Sequence, residues 1–208
     1  ILAEETGEHR AVAGEAPTSG RGRLWIVDPL DGTVNYANGI PFFCVSIALI
    51  VDGRPTVGVI HDPTRGETFA ATLSGPALLA RSLGSSSHAV TASDKERLTD
   101  FVVSMALNGR AVASRVRNVR KAIRIARSMG SAALALAYVA NGRFDAFIQQ
   151  GGLSAWDVAA AGLIAERGGA AVTAMDGGPW FDLGHAPKSI GVLASPVAHH
   201  AALLDLVR

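Results

Sequence analysis

Trp25-Ile26-Val27-Asp28-Pro29-Leu30-Asp31-Gly32-Thr33-Val34-Asn35 is the densest stretch of this 208-residue chain. Leu24 to Val27 is a short apolar run stopped at once by Asp28-Pro29, and it reads as a buried strand ending in a turn. Pro29 has no N–H for a ladder and sharpens that turn. The strand delivers Asp28 to the end of a sheet, and Asp31 follows three residues later, so both carboxylates reach one point. Gly32 and Thr33 then open a helical turn, whose free N–H groups suit a phosphate. Two carboxylates beside an anion repel it unless a divalent cation sits between them. Hard oxygen donors together with phosphate point to Mg²⁺. The same string also fits an Asx turn in which both Asp side chains merely bond backbone amides, so the residues alone leave two readings.

Working outward, residues 1–7 are a short apolar start followed by Glu4 and Glu5, and 8–23 read as a loop rich in Gly, Pro, Ser and charge. Residues 42–51 and 56–60 are strand-like, joined by the hairpin signal Asp52-Gly53, and 67–72 add another strand. Residues 82–100 read as a loop and turn, and 101–105 as a strand. From 111 to 127, Val116, Val119, Ile123 and Ala126 recur at helical spacing, with Arg117, Arg120, Lys121 and Arg124 on another face. That charge is read as a solvated face, the alternative being a stripe facing an anion or a subunit.

Residues 132–140 form an Ala/Leu helix closed by Asn141-Gly142, and 144–149 a strand. A second helix over 157–167 is stopped by Gly168-Gly169. A strand over 190–194 and a helix over 197–207 complete the chain. The early part is sheet with hairpins and the later part alternates helix and strand, an α/β (α+β) pattern. The expected division is a lobe over 1–105 carrying the D-P-x-D-G-T string and a second over 106–208.

Composition narrows the function. Hydrophobic residues make up 49% and charged residues 18%, enough for a real core. Nineteen Lys and Arg against eighteen Asp and Glu leave +1, which argues against a protein built mainly to hold nucleic acid. The single cysteine, Cys44, excludes an intramolecular disulfide and a cysteine-rich zinc site, and fits a cytoplasmic address. No apolar run reaches membrane-spanning length. The six histidines show no metal-binding spacing, and His199-His200 reads as surface. Asp62-Pro63 reads as a turn and Gly151-Gly152 as a strand-end turn. Further acids accompany the string: Glu4 and Glu5 after an apolar segment that could be a neighbouring strand, and Asp157 after Trp156 at a helix start, where a carboxylate can also serve as a cap.

Asp28 to Asn35 resembles the first signature of the inositol monophosphatase family, and Trp156-Asp157-Val158-Ala159-Ala160-Ala161-Gly162 the second. Glu4-Glu5-Thr6-Gly7 resembles the family's upstream acidic pair. Gly130-Ser131-Ala132-Ala133, Ala137-Tyr138-Val139-Ala140 and Gly142-Arg143-Phe144-Asp145 resemble the segment before the second signature. The resemblance implies a layered α-β-α-β-α sandwich and hydrolysis of a small phosphate monoester with two or three Mg²⁺ ions. It also implies lithium sensitivity and a homodimer, with neither nucleic acid nor membrane as partner. Carried over by position, Glu4 would ligate the first metal and help activate water. Asp28 would bridge the first two metals, Leu30 would lend its carbonyl, and Asp31 and Asp157 would complete the second. Thr33 would orient the attacking water, and the Gly32 and Thr33 amides would hold the phosphate. Glu5 would sit near the metals. Asp31, Ser131, Ala132, Gln150 and Asp157 would face substrate.

Three departures from the family pattern are visible. The sequence begins just before the acidic pair, so the family's N-terminal helices, with one more Asp near a third metal position, are expected to be missing. Six residues before Trp156, where the family places a Glu that contacts substrate hydroxyls, stands Gln150, which keeps hydrogen bonding but not charge. The stretch between Met105 and Met129 is short. Inositol 1-phosphate is the default substrate. Fructose 1,6-bisphosphate, histidinol phosphate and 3′-phosphoadenosine 5′-phosphate are alternatives, and a non-catalytic phosphate- or partner-binding relative is the rival of another class.

Overall fold

The computed structural model describes residues 1–3, 7–8, 22–82, 85–107 and 112–208. Glu4, Glu5 and Thr6 therefore lie outside the described residues, as does part of the short stretch after Met105.

One sheet has eight strands. In chain order these are β1 (Leu2–Ala3), β2 (Gly7–Glu8), β3 (Arg23–Asp31), β4 (Cys44–Val51), β5 (Arg54–Asp62), β6 (Glu67–Thr72), β7 (Leu78–Ala80) and β8 (His88–Ala89). Their spatial order is β2-β1-β3-β4-β5-β6-β7-β8. Each strand from β3 to β8 pairs antiparallel with the next, while β1 runs parallel to β3 with Ala3 opposite Val27. The Asp52-Gly53 hairpin forms with positive φ at both residues, as a two-residue turn requires. Along β4, Cys44, Ser46, Ala48 and Ile50 are buried while Val45, Ile47, Leu49 and Val51 are half-buried, the alternation of a sheet with one face on a core.

The second sheet is built from β9 (Val102–Ala106), β10 (Ile125–Arg127), β11 (Ala146–Leu153), β12 (Ala170–Ala174) and β13 (Ile190–Pro196), in the order β10-β9-β11-β13-β12. Helices α3 (Ala132–Ala137) and α4 (Ala155–Arg167) pack between the sheets. Helices α2 (Ala113–Ala122) and α5 (Val197–Val207) pack on the far face of the second. The described residues thus supply consecutive β-α-β-α layers of the expected sandwich. A short helix, α1 (Thr33–Ala37), follows β3.

Helix α4 is apolar all round because both its sides meet sheet: Val158 through Ala165 are buried without a break. Its small residues allow close approach. A Cβ on Gly58 of β5 would lie 2.7 Å from the Ala160 carbonyl oxygen, and one on Gly162 would lie 2.5 Å from the Trp180 ring.

Three expectations change. Pro29 does not end its strand; β3 runs through it to Asp31, with a bulge between the pairs Asp28–Ser46 and Asp31–Cys44. A bulge leaves a residue out of the ladder, which is where proline is tolerated. The helix expected over 111–127 stops at Ala122, and the chain turns extended at Ile123 to pair β10 in parallel with β9. His200 is buried rather than on the surface, because its helix faces β12 and β13 there. Its Nδ1 lies 3.0 Å from Ser195 Oγ and its Nε2 2.9 Å from Thr173 Oγ1.

Burial holds the His200 imidazole below the ordinary histidine pKa. The unfolded chain therefore takes up this proton first, so the neutral ring's contribution is complete above about pH 6.5 and is lost on acidification below it. Melting curves are expected to show a larger loss between about pH 7.5 and about pH 5.5 for the wild type than for His200→Gln. Equal losses would show that this ring is not involved.

Candidate active site

The bulge in β3 sets the geometry. It turns Asp28 and Asp31 toward one point, and Asp157 arrives there in the first turn of α4. Carboxylate oxygens of the three all lie within 4.8 Å of one another. Asp28 is 1% exposed and Asp31 8%, with Asp157 half-buried.

Each carboxylate is also held by the fold. Asp28 Oδ1 accepts the Leu30 N–H at 2.9 Å. Asp31 Oδ2 accepts the Ser131 hydroxyl at 2.5 Å and the Ala133 N–H at 2.7 Å, which joins the motif to the start of α3. Asp157 Oδ2 accepts the Ser154 N–H at 2.7 Å in a capping box. The Asx-turn reading and the ligand reading of these residues are therefore compatible. One oxygen serves the backbone while the group still converges on its neighbours.

Like charges this close repel by roughly 3 kcal/mol per pair at an effective dielectric near 20. A divalent cation bound by hard oxygen donors offsets that cost, and a few carboxylates that leave the remaining positions to water and phosphate suit Mg²⁺. Among the described residues this is the group of acids placed to hold a metal.

Asn35 supplies a tether. Its side-chain amide donates to the Phe42 and Met129 carbonyls, each at 2.7 Å, clamping the loop after α1 to the segment before α3. Gly130 fits against it at φ +82°, where a Cβ would meet the Asn35 amide at 2.8 Å. Gly32 stands at φ +92° with Ser131 and Phe42 packed close, so the turn into α1 needs glycine. Thr33 follows it, exposed, with no hydrogen bond from its hydroxyl among the described residues. Cys44 lies behind the carboxylates, its sulfur 3.9 Å from Asp31 Oδ2. Burial, reinforced by the Asp31 charge, pushes its thiol well up, which fits the absence of a nucleophile role.

Two of the carboxylates, Asp31 and Asp157, open into a cavity of about 290 Å³ that Ser131, Ala132, Ser104 and Gln149 also line. Gln150, the residue expected there, is exposed and lines a separate cavity with Trp180 and His185. The physical reason is strand alternation broken by a bulge. Phe147 and Gln149 share the cavity face, while Ala146 and Ile148 point into the α2–α5 core. Between the pairs Gln149–Val192 and Leu153–Ile190, β11 has three residues where β13 has one. Counting back from Trp156 crosses that bulge and lands on the wrong face. Counting forward from Asp145 by twos reaches Gln149, and Gly151-Gly152 marks the irregularity.

The chain matches the model of the inositol monophosphatase family over residues 1–208. It is 40% identical over 185 residues to the inositol-1-monophosphatase of Mesorhizobium japonicum, covering 86% of this chain and 64% of that one. It is 35% identical over 193 residues to the protein named Nus factor SuhB of Xylella fastidiosa, covering 88% and 67%. The crystal structure of the Anabaena inositol monophosphatase superposes with a TM-score of 0.80 at 34% identity, over 99% of this chain and 76% of that one. The chain thus spans about two-thirds of the length of the curated relatives it matches.

Proposed function

Because the chain belongs to the inositol monophosphatase family, we propose that it hydrolyses a small phosphorylated polyol, inositol 1-phosphate first among candidates, with Mg²⁺ at the three-Asp centre. The observation that carries this reading is the convergence of Asp28, Asp31 and Asp157 from a strand, its bulge and a helix start. A cation bound there supplies Lewis-acid polarisation of the phosphoryl group and acidifies water.

The chain's own residues do the rest. Asp28, Asp31, Asp157 and the Leu30 carbonyl would hold the cation; Glu4, which the family resemblance adds to the set, lies outside the described residues. The Gly32 and Thr33 amides take phosphate oxygens. The Thr33 hydroxyl oxygen would accept a hydrogen bond from the attacking water and so orient it. Ser131, Ala132 and Gln149 face the polyol.

The cavity's size supports a small substrate. Its described lining includes no Lys, Arg or His, so it offers no cation for a second phosphate. That favours a monophosphate over fructose 1,6-bisphosphate or 3′-phosphoadenosine 5′-phosphate. The test is phosphate release by the full-length protein from these substrates and histidinol phosphate, with and without Mg²⁺. Metal-dependent release from inositol 1-phosphate is expected. Metal binding with no release from any of them would overturn the enzymatic reading in favour of a phosphate-binding one.

Three substitutions refine it. Gln149→Glu is expected to raise kcat/KM for inositol 1-phosphate about tenfold relative to the other substrates, as a charge-assisted hydrogen bond to a hydroxyl is gained. Gln150→Glu should leave the ranking alone; the reverse pattern would reinstate Gln150. Thr33→Ala should lower kcat about a hundredfold with little change in KM, and a change confined to KM would reduce the hydroxyl to a binding role.

A further inference from the structure

Helix α2 carries a concentration of positive charge that the catalytic reading leaves unused. No Asp or Glu occurs between Asp100 and Asp145, whereas Arg115, Arg117, Arg120, Lys121, Arg124 and Arg127 fall within fifteen residues of a chain whose net charge is only +1. The apolar side of α2, with Val119 buried, packs on α5. Arg117, Arg120 and Lys121 lie at i, i+3 and i+4 on its solvent side, all exposed, and Arg124 extends the row just past the helix end. None of the four side chains makes an ion pair or hydrogen bond among the described residues. Favourable interaction with the helix C-terminus accounts for Arg120 and Lys121 but not for Arg117 or Arg124.

We propose that this row binds the phosphate backbone of a nucleic-acid strand. Along the helix axis Arg120 lies about 4.5 Å and Lys121 about 6 Å from Arg117, and Arg124 follows just past the helix end, within reach of neighbouring phosphates for flexible side chains. Three of the four are guanidinium groups, whose planar fork matches phosphate oxygens. No large apolar side chain is exposed among residues 112–127, so nothing on this face would insert into a bilayer. The same absence leaves it without the aromatic anchors on which protein interfaces depend. A second copy docking by two-fold symmetry would set the row against itself, where like charges repel. The face is distinct from the Asp31–Asp157 cavity, whose lining includes none of these residues.

Fluorescence anisotropy of a labelled 20-nucleotide RNA of mixed sequence, titrated with the full-length protein, tests this. Four phosphate contacts to a single strand give a log–log salt slope of about −3, or about fiftyfold weaker binding on going from 50 to 200 mM KCl. The quadruple variant Arg117→Gln/Arg120→Gln/Lys121→Gln/Arg124→Gln, checked by its melting curve, is expected to lose at least about tenfold in affinity at 50 mM. Its slope should fall toward zero. Replacing the three arginines by lysine keeps the charge and should keep most of the binding. Undetectable wild-type binding at 50 mM, binding unaffected by the quadruple variant, or stronger row-dependent binding to phosphatidylserine vesicles or an acidic peptide would each overturn the assignment.

Discussion

Asp31→Asn is expected to lower metal-dependent phosphate release at saturating substrate by at least about a hundredfold, with little change in melting temperature. The substitution isolates charge from architecture. Asp31 Oδ2 receives the Ser131 hydroxyl and the Ala133 N–H. An amide oxygen placed at the same point accepts both, so the start of α3 stays attached. What disappears is one of the three negative charges gathered within 4.8 Å. Asp157→Asn makes a parallel case, because the amide oxygen can still receive the Ser154 N–H. The measurements are kcat across a Mg²⁺ titration and a thermal melt of each variant. Activity within about threefold of wild type would remove Asp31 from the metal site. A large fall in melting temperature would instead make it a structural residue first.

Gly58→Ala is expected to cost about 1–3 kcal/mol of stability, seen as a fall of about 3–10 °C in melting temperature. The added methyl would lie 2.7 Å from the Ala160 carbonyl oxygen and 3.0 Å from its Cα, both backbone atoms of a helix wedged between two sheets. No side chain there can swing away, so α4 must shift. Asp157 stands one turn earlier on that helix, and a displacement of its carboxylate by even part of an ångström costs rate steeply. The variant should therefore also lose about tenfold in turnover when assayed well below its melting point. Unchanged melting and turnover together would mean that the helix slides without cost.

Much of the candidate centre was legible because each of its residues answers a local demand. Asp28, Asp31 and Gly32 sit in one short string, and Asp157 follows the Ser154 that it caps with. What escaped reading was decided by pairing between distant segments. Ile123 and Ile125 fit a helical repeat as well as an alternating one, and only the neighbouring Val102–Ser104 segment makes β10 extended. Gln149 and Gln150 cannot be told apart until the bulge against Ile190 and Val192 fixes which of them faces the cavity. His200 reads as a surface residue beside His199 until β12 and β13 supply Thr173 and Ser195 for its two nitrogens. Asn35 was visible as part of the string, but its work of clamping Met129 to Phe42 spans 94 residues in one direction and 7 in the other.

The double attachment of the three carboxylates bears on how such a protein would decay over generations. Were catalysis no longer under selection, an oxygen acceptor would still be needed at 31 for α3, at 157 for the cap of α4 and at 28 for the turn at Leu30, a demand that Asp or Asn meets. A lineage that had lost its chemistry would go on displaying Asp or Asn at these positions, inherited as scaffolding. Thr33, exposed and without a hydrogen bond from its hydroxyl among the described residues, has no such second duty. Drift would erase it early and without restriction, whereas the three acids could soften only to asparagine, so the threonine is the first position at which active and silent descendants of this fold part company.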